Sequence, residues 1–188
     1  AMMGFRKCAR YQGVSYIADK VTNWESADRQ ARRVILESGE IIEADQFVLC
    51  AGAWSAPLGE MIGLELPVEP LSRDCRHFKC DQDIEPLPLV KTEKHIAIRP
   101  ETIGFSGGMP DWRREAGWSF NEMPGHFEET LWPLLAELIP AFETLKVERV
   151  WQGHYARNNF DLTAIIGPWT EGMDNVYMAT GYSGHGIM

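Results

Sequence analysis

Hydrophobic and polar residues alternate with a period of two along most of this chain, and only one segment keeps a convincing helical period. The clearest alternation is RDCRHFKC. It places Arg76, Phe78 and Cys80 on one strand face and Cys75, His77 and Lys79 on the other. KHIAIRP and TIGFSGGM read as antiparallel strands joined by a turn, and VERVWQGHYA, AIIGPW and VYMATG as further strands. Upstream, VSYIADKVTNWE predicts a strand. ARRVILES and the segment after it predict two strands across a tight turn at Ser38–Gly39, followed by a buried strand Gln46–Cys50. The helical period belongs to EETLWPLLAELIPAF, with Pro133 in its first turns and Pro140 near its end. Residues 3–12 fit the last turns of a helix stopped by Gly13, and Ala53 to Met61 fit a second helix start. GLELPVEPL, with two prolines, predicts an irregular crossover. The pattern is that of a β-rich α+β fold.

The 188 residues are 45% hydrophobic and include 7 Trp, 8 Phe and 5 Tyr, enough to bury a real core. The net charge of −9 argues against nucleic acid or an anionic membrane as partner, so an acidic ligand must be met by local arginines or backbone amides. No apolar run reaches the roughly 18–20 residues of a membrane helix, and the first residues lack a secretory signal's apolar stretch. The expected location is cytoplasmic. Cys8, Cys50, Cys75 and Cys80 form no CxxC pair and have no histidine at zinc-ligand spacing, so reduced thiols are expected and no metal site.

The chain contains neither GxGxxG nor GxxxxGK[ST]. It does carry two strand ends of the kind that flank a nucleotide, VLCAGAWS and VYMATGYSGHG. In open α/β sheets ligands lie beyond such carboxyl ends. Each stretch alone also fits an ordinary turn or loop; together they are more specific.

ADQFVLCAGAWSAPLGEMIGLELPVEP, ELIPAFETLKVERVWQGHYARNNFDLTAIIGP and NVYMATGYSGHGIM resemble FAD-dependent oxidoreductases of the D-amino-acid oxidase superfamily. The likeness is to the branch that holds the FAD-dependent oxidoreductase-domain proteins beside sarcosine and dimethylglycine dehydrogenases. It implies the antiparallel-sheet substrate domain of the D-amino-acid oxidase fold plus the middle and return strands of a split FAD-binding domain. The expected division is 1–65 as remnant of the FAD-binding domain, 66–158 as substrate domain, and 159–188 as return strands with the flavin-proximal loop. Because the family's GxGxxG unit and the helix after SGHG are missing here, a fragment or truncated product is expected. Self-association through the surface so exposed, around strand Gln46–Cys50, is expected with it.

The resemblance also implies FAD as cofactor and, as substrate, a small amine such as an amino acid or N-methylated amino acid, oxidised by hydride transfer to the flavin. Cofactor contacts fall on Ala51, Gly52, Ala53, Trp54, Gly181, Ser183, Gly184, His185, Gly186, Ile187 and Met188, with the His185 imidazole either assisting or turned away. Trp54 and Trp151 are more ordinarily core residues. Arg99 is the candidate fork for a substrate carboxylate, against a solvated surface arginine; His77 is a second cleft candidate, and Arg73, Arg76 and Arg157 are weaker ones. Tyr155 and His154 are the catalytic candidates, as a hydroxyl near substrate and a proton shuttle. They are adjacent on one strand, so at most one faces the substrate. Asp161 reads as a turn residue. The alternative function is a non-catalytic assembly or interaction module.

Overall fold

The computed structural model describes residues 2–111, 113–169 and 171–186. In chain order they form α1 (Met2–Tyr11), β1 (Val21–Ala27), β2 (Gln30–Leu36), β3 (Ile41–Glu43), β4 (Phe47–Leu49) and α2 (Ser55–Glu60). The chain continues with β5 (Val68–Lys79), β6 (Val90–Lys91), β7 (Ala97–Pro100), β8 (Phe105–Gly108), α3 (Trp132–Leu138), β9 (Lys146–Asn158), β10 (Ile165–Pro168) and β11 (Val176–Thr180). Three sheets result, ordered β1-β2-β3, β10-β11-β4 and β6-β7-β8-β5-β9. All pairings are antiparallel except β11 with β4, so chain segments far apart in sequence end side by side at the same edge.

The predicted alternation of β5 is what the sheet uses. Ser72, Asp74, Arg76 and Phe78 are buried on one face, while Arg73, Cys75, His77 and Lys79 are half-buried on the other. Under the first face, Phe78, Ile96 and Ile98 pack with Phe127, Leu131, Leu135 and Phe142 as a core cluster. A second cluster joins Trp24, Val34, Leu36, Leu49, Leu64 and Val68 to Val176 and Met178. The Cys8, Cys50, Cys75 and Cys80 thiols are unpaired. No helix among the described residues is long and apolar enough to cross a membrane.

Four sequence expectations need correction. The strand expected from Val14 begins only at Val21, because its partner β2 ends at Leu36 opposite Val21 and leaves residues 14–20 without a ladder. The strand expected at Gln46–Cys50 shortens to β4 and is not buried on both faces, since Val48 is 63% exposed. The proline-rich crossover stops at Pro67. Pro70 lies inside β5, tolerated because β8 covers β5 only at Arg76–Phe78, and the Pro70 carbonyl accepts the Gly117 N–H. The single long helix is broken into a π turn at Phe127–Leu131, α3 with Pro133 near its start, and a 3-10 turn from Pro140. Ile139 is extended at φ −137°, ψ 102°, the conformation a following proline imposes.

Candidate functional site

The parallel pairing of β4 with β11 brings the two strand ends together. The buried Thr180 hydroxyl donates to the Gly52 carbonyl at 3.1 Å, tying CAGAWS to the start of the glycine loop. The loop is then laced to β9. Ser183 N–H donates to the Ala156 carbonyl at 2.9 Å, Asn158 N–H donates to Ser183 Oγ at 2.9 Å, and Arg157 bridges Tyr182. His185 N–H closes a turn on the Tyr182 carbonyl at 2.8 Å. Gly184, with φ +101°, sits against Tyr155, and Gly184, His185 and Gly186 are exposed. Ile187 and Met188 lie outside the described residues.

Tyr155 and His154 point to opposite faces of the sheet, as adjacency on a strand requires. Tyr155 is on the face shared with Leu71, Arg73, Cys75 and Trp151 by register, and the Arg73 guanidinium lies 5.5 Å from its ring centroid. Burial pulls the Arg73 guanidinium below its ordinary value, while Tyr155 pushes it back up; arginine keeps its charge under such shifts. His154 faces the loop after β8. Its Nε2 accepts the Ser119 N–H at 3.1 Å, and its ring lies 5.0 Å from Trp118 and 4.7 Å from Phe120. With Nε2 occupied as an acceptor, His154 anchors that loop in this arrangement. The Trp54 ring lies 4.6 Å from the same Trp118, their planes tilted by 34°, so CAGAWS also leans on this loop, with Ala51, Gly52 and Ala53 in the turn just before Trp54.

Arg99 and His77 are not brought to Tyr155. Both share its sheet face, but His77 is six residues along β5 from Leu71, the partner of Tyr155, or about 20 Å. Arg99 Nε donates to Glu101 at 2.9 Å and to Ser106 Oγ at 3.2 Å, and His77 contacts Glu148 and the Ile103 carbonyl. Of the weaker arginines, Arg76 is buried on the opposite face against Glu122 and the Phe127 ring, and Arg157 pairs with Glu69 at 2.9 Å. Arg73 alone of these lies over Tyr155. Asp161 is a turn residue in the structure, its Oδ1 accepting from Asn158 Nδ2 at 2.8 Å and Thr163 N–H at 2.9 Å. Sequence reading missed Arg149 and Trp118. The period of two places Arg149 beside Trp151, but nothing local signals the fold of the 113–126 segment that delivers Trp118.

A family model described as FAD dependent oxidoreductase (DAO) matches residues 1–188. The chain belongs to this family. A DAO-family relative, FAD-dependent oxidoreductase domain-containing protein 1 of Bos taurus, is 38% identical over 156 residues, covering 80% of this chain and 30% of that protein. A glycine oxidase of Pseudomonas putida is 32% identical over 113 residues, covering 60% of this chain and 30% of its own length. The structure of L-proline dehydrogenase from P. horikoshii superposes with a TM-score of 0.86 at 23% identity, over 99% of this chain and 50% of that one. The DAO family is FAD-dependent, and the fold matches its solved oxidases and dehydrogenases. The chain spans about a third of the length of the curated DAO relatives it matches.

Proposed function

We propose that this chain is the substrate-presenting part of an FAD-dependent enzyme that oxidises an amino acid or N-methylated amino acid by hydride transfer. One observation carries the reading: Tyr155 packs against the exposed Gly184 backbone with Arg73 over the same ring. Ala51, Gly52, Ala53, Trp54, Gly181, Ser183, Gly184, His185 and Gly186 are the residues that would hold the flavin end of FAD. The fit rests on the cradle at Gly184, where any side chain would press on Tyr155, and on the joining of both strand ends through Thr180 and Gly52. FAD, when bound, supplies the two-electron acceptor.

The chain's own residues do the rest. Arg73 attracts the substrate carboxylate toward the sheet. Tyr155 offers a hydroxyl beside it and a ring wall that excludes water. His154 positions the 118–120 loop from the far face. Arg73 replaces Arg99 as the preferred carboxylate partner because the register sets Arg99 some 20 Å along the sheet. The three-part division at 65/66 and 158/159 fits the sheets, since β4 joins β10 and β11 while the β6-to-β9 sheet is internal to 66–158. The amino-acid names of the glycine oxidase and proline dehydrogenase relatives support the substrate class.

The test is anaerobic mixing of the full-length flavoprotein carrying these residues with a panel of amino acids and N-methylated amino acids. Flavin bleaching by at least one, slowed by Tyr155→Phe and by Arg73→Ala, is expected. Purified full-length protein with no bound flavin would instead favour an interaction module.

A further inference from the structure

The sheet face that carries Tyr155 and Arg73 does not end there. Along β9, Tyr155 is followed on the same face by Gly153, Trp151 and Arg149, and Gly153 lies opposite Arg73 with no side chain to fill the space. Further along the same face, beyond Trp151, lies a groove of about 510 Å³ lined by His77, Lys79, Arg99, Glu101, Glu148 and Arg149, with Trp151 on the side toward Tyr155. Lys79 is neutralised by Glu148 at 2.6 Å, and Arg99 by Glu101 at 2.9 Å. Arg149 is matched by no carboxylate among the described residues; its guanidinium lies 5.9 Å from the Trp151 ring centroid, a flat partner that holds it in place. A groove with three fixed cations and two carboxylates is out of character for a chain of net charge −9.

We propose that this groove is a second anion subsite, centred on Arg149, for a carboxylate at the far end of the substrate. Arg149 lies four residues along β9 from Gly153, the partner of Arg73, so the two acidic ends are about 13 Å apart. The substrate class is an elongated amino acid or short peptide-like amine with an acid at each end. This rests on the reading of Arg73 as the first carboxylate partner.

The test is calorimetric titration of the chain with sebacate, long enough to span both arginines, and with decanoate, of equal length but one carboxylate. Sebacate is expected to bind about tenfold more tightly, the worth of one charge-assisted contact. Arg149→Ala should bring sebacate down to decanoate while leaving decanoate unchanged, and Arg149→Lys should recover part of the difference. Equal affinities in the native chain, or an advantage that survives Arg149→Ala, would overturn the subsite. The readout needs no flavin, so it fails separately from the oxidase reading. A full-length enzyme that oxidises simple amino acids yet shows equal affinities keeps its reaction and loses this subsite.

Discussion

The ring of Tyr155 lies so close to Gly184 that a Cβ built on the glycine would stand 3.3 Å from both Cε2 and Cζ. Gly184 also has φ +101°, where an L side chain is strained whatever the space. Gly184→Ala should therefore lower stability by about 1 kcal/mol and move the ring. Gly39 separates the two effects, because its φ is +89° with open space around the missing Cβ. Gly39→Ala should cost a similar amount in urea unfolding and leave the Tyr155 ring resonances in place.

The pair Asp74–Arg114 ties the loop after β8 to the buried face of β5. Their side chains are 4% and 6% exposed, and Asp74 also accepts the Met123 N–H. Asp74→Asn leaves a buried guanidinium short of its counter-charge and should cost about 3–5 kcal/mol in urea unfolding. Asp81→Asn, which breaks an ion pair to Lys146 that is 69% exposed on both sides, should change stability by less than about 0.5 kcal/mol.

Acid should weaken the fold in two stages. Burial holds the His126 imidazole below its ordinary 6.5, with Asp111 opposing and Arg76 and Arg113 adding to the fall. The unfolded chain therefore binds the proton first, and the His126 contribution is present above about 6.5 and lost as pH drops through its folded value. The hydrogen bond from Arg113 brings Asp111 down from 3.8 to about 2. Its contribution is complete above the unfolded value and disappears between about pH 5 and 2. Because the Arg113 side chain is 55% exposed, solvent screening limits this contribution to about 1–2 kcal/mol. His126→Gln should abolish the first stage and Asp111→Asn should shrink the second, to which Glu101 and Glu148, also held below the ordinary carboxylate range by their hydrogen bonds, contribute as well; both are followed as thermal midpoint against pH.

On the proposed reading of this chain as part of an amino-acid oxidising flavoenzyme, Arg73→Lys keeps the charge but loses the planar fork. It should cost about 1.5–3 kcal/mol in transition-state binding, or roughly 10–100-fold in kcat/KM, for substrates with a carboxylate. Simple amines should be nearly indifferent. Arg99→Lys should change the kcat/KM of short amino acids less than about twofold, since its Nε is already engaged by Glu101 and Ser106. The reverse ranking of the two variants would return the carboxylate site to Arg99.

Local pattern alone determined much of this protein. The period of two in RDCRHFKC set the two faces of β5, and adjacency sent His154 and Tyr155 to opposite sides of β9. The small-residue ends CAGAWS and GYSGHG marked where two strands finish, because tight turns leave their signature in composition. Tertiary structure decided which residues meet. Arg73 and Arg99 lie on the same face and read alike in sequence; only the β5–β9, β5–β8 and β7–β8 registers put one over Tyr155 and the other about 20 Å along the sheet. The start of β1 was likewise set by where its partner β2 stops, not by its own propensity. A strand's period says which side a residue faces, but its position along the sheet is fixed by hydrogen-bonded partners far away in the chain, and that information is absent from any local stretch.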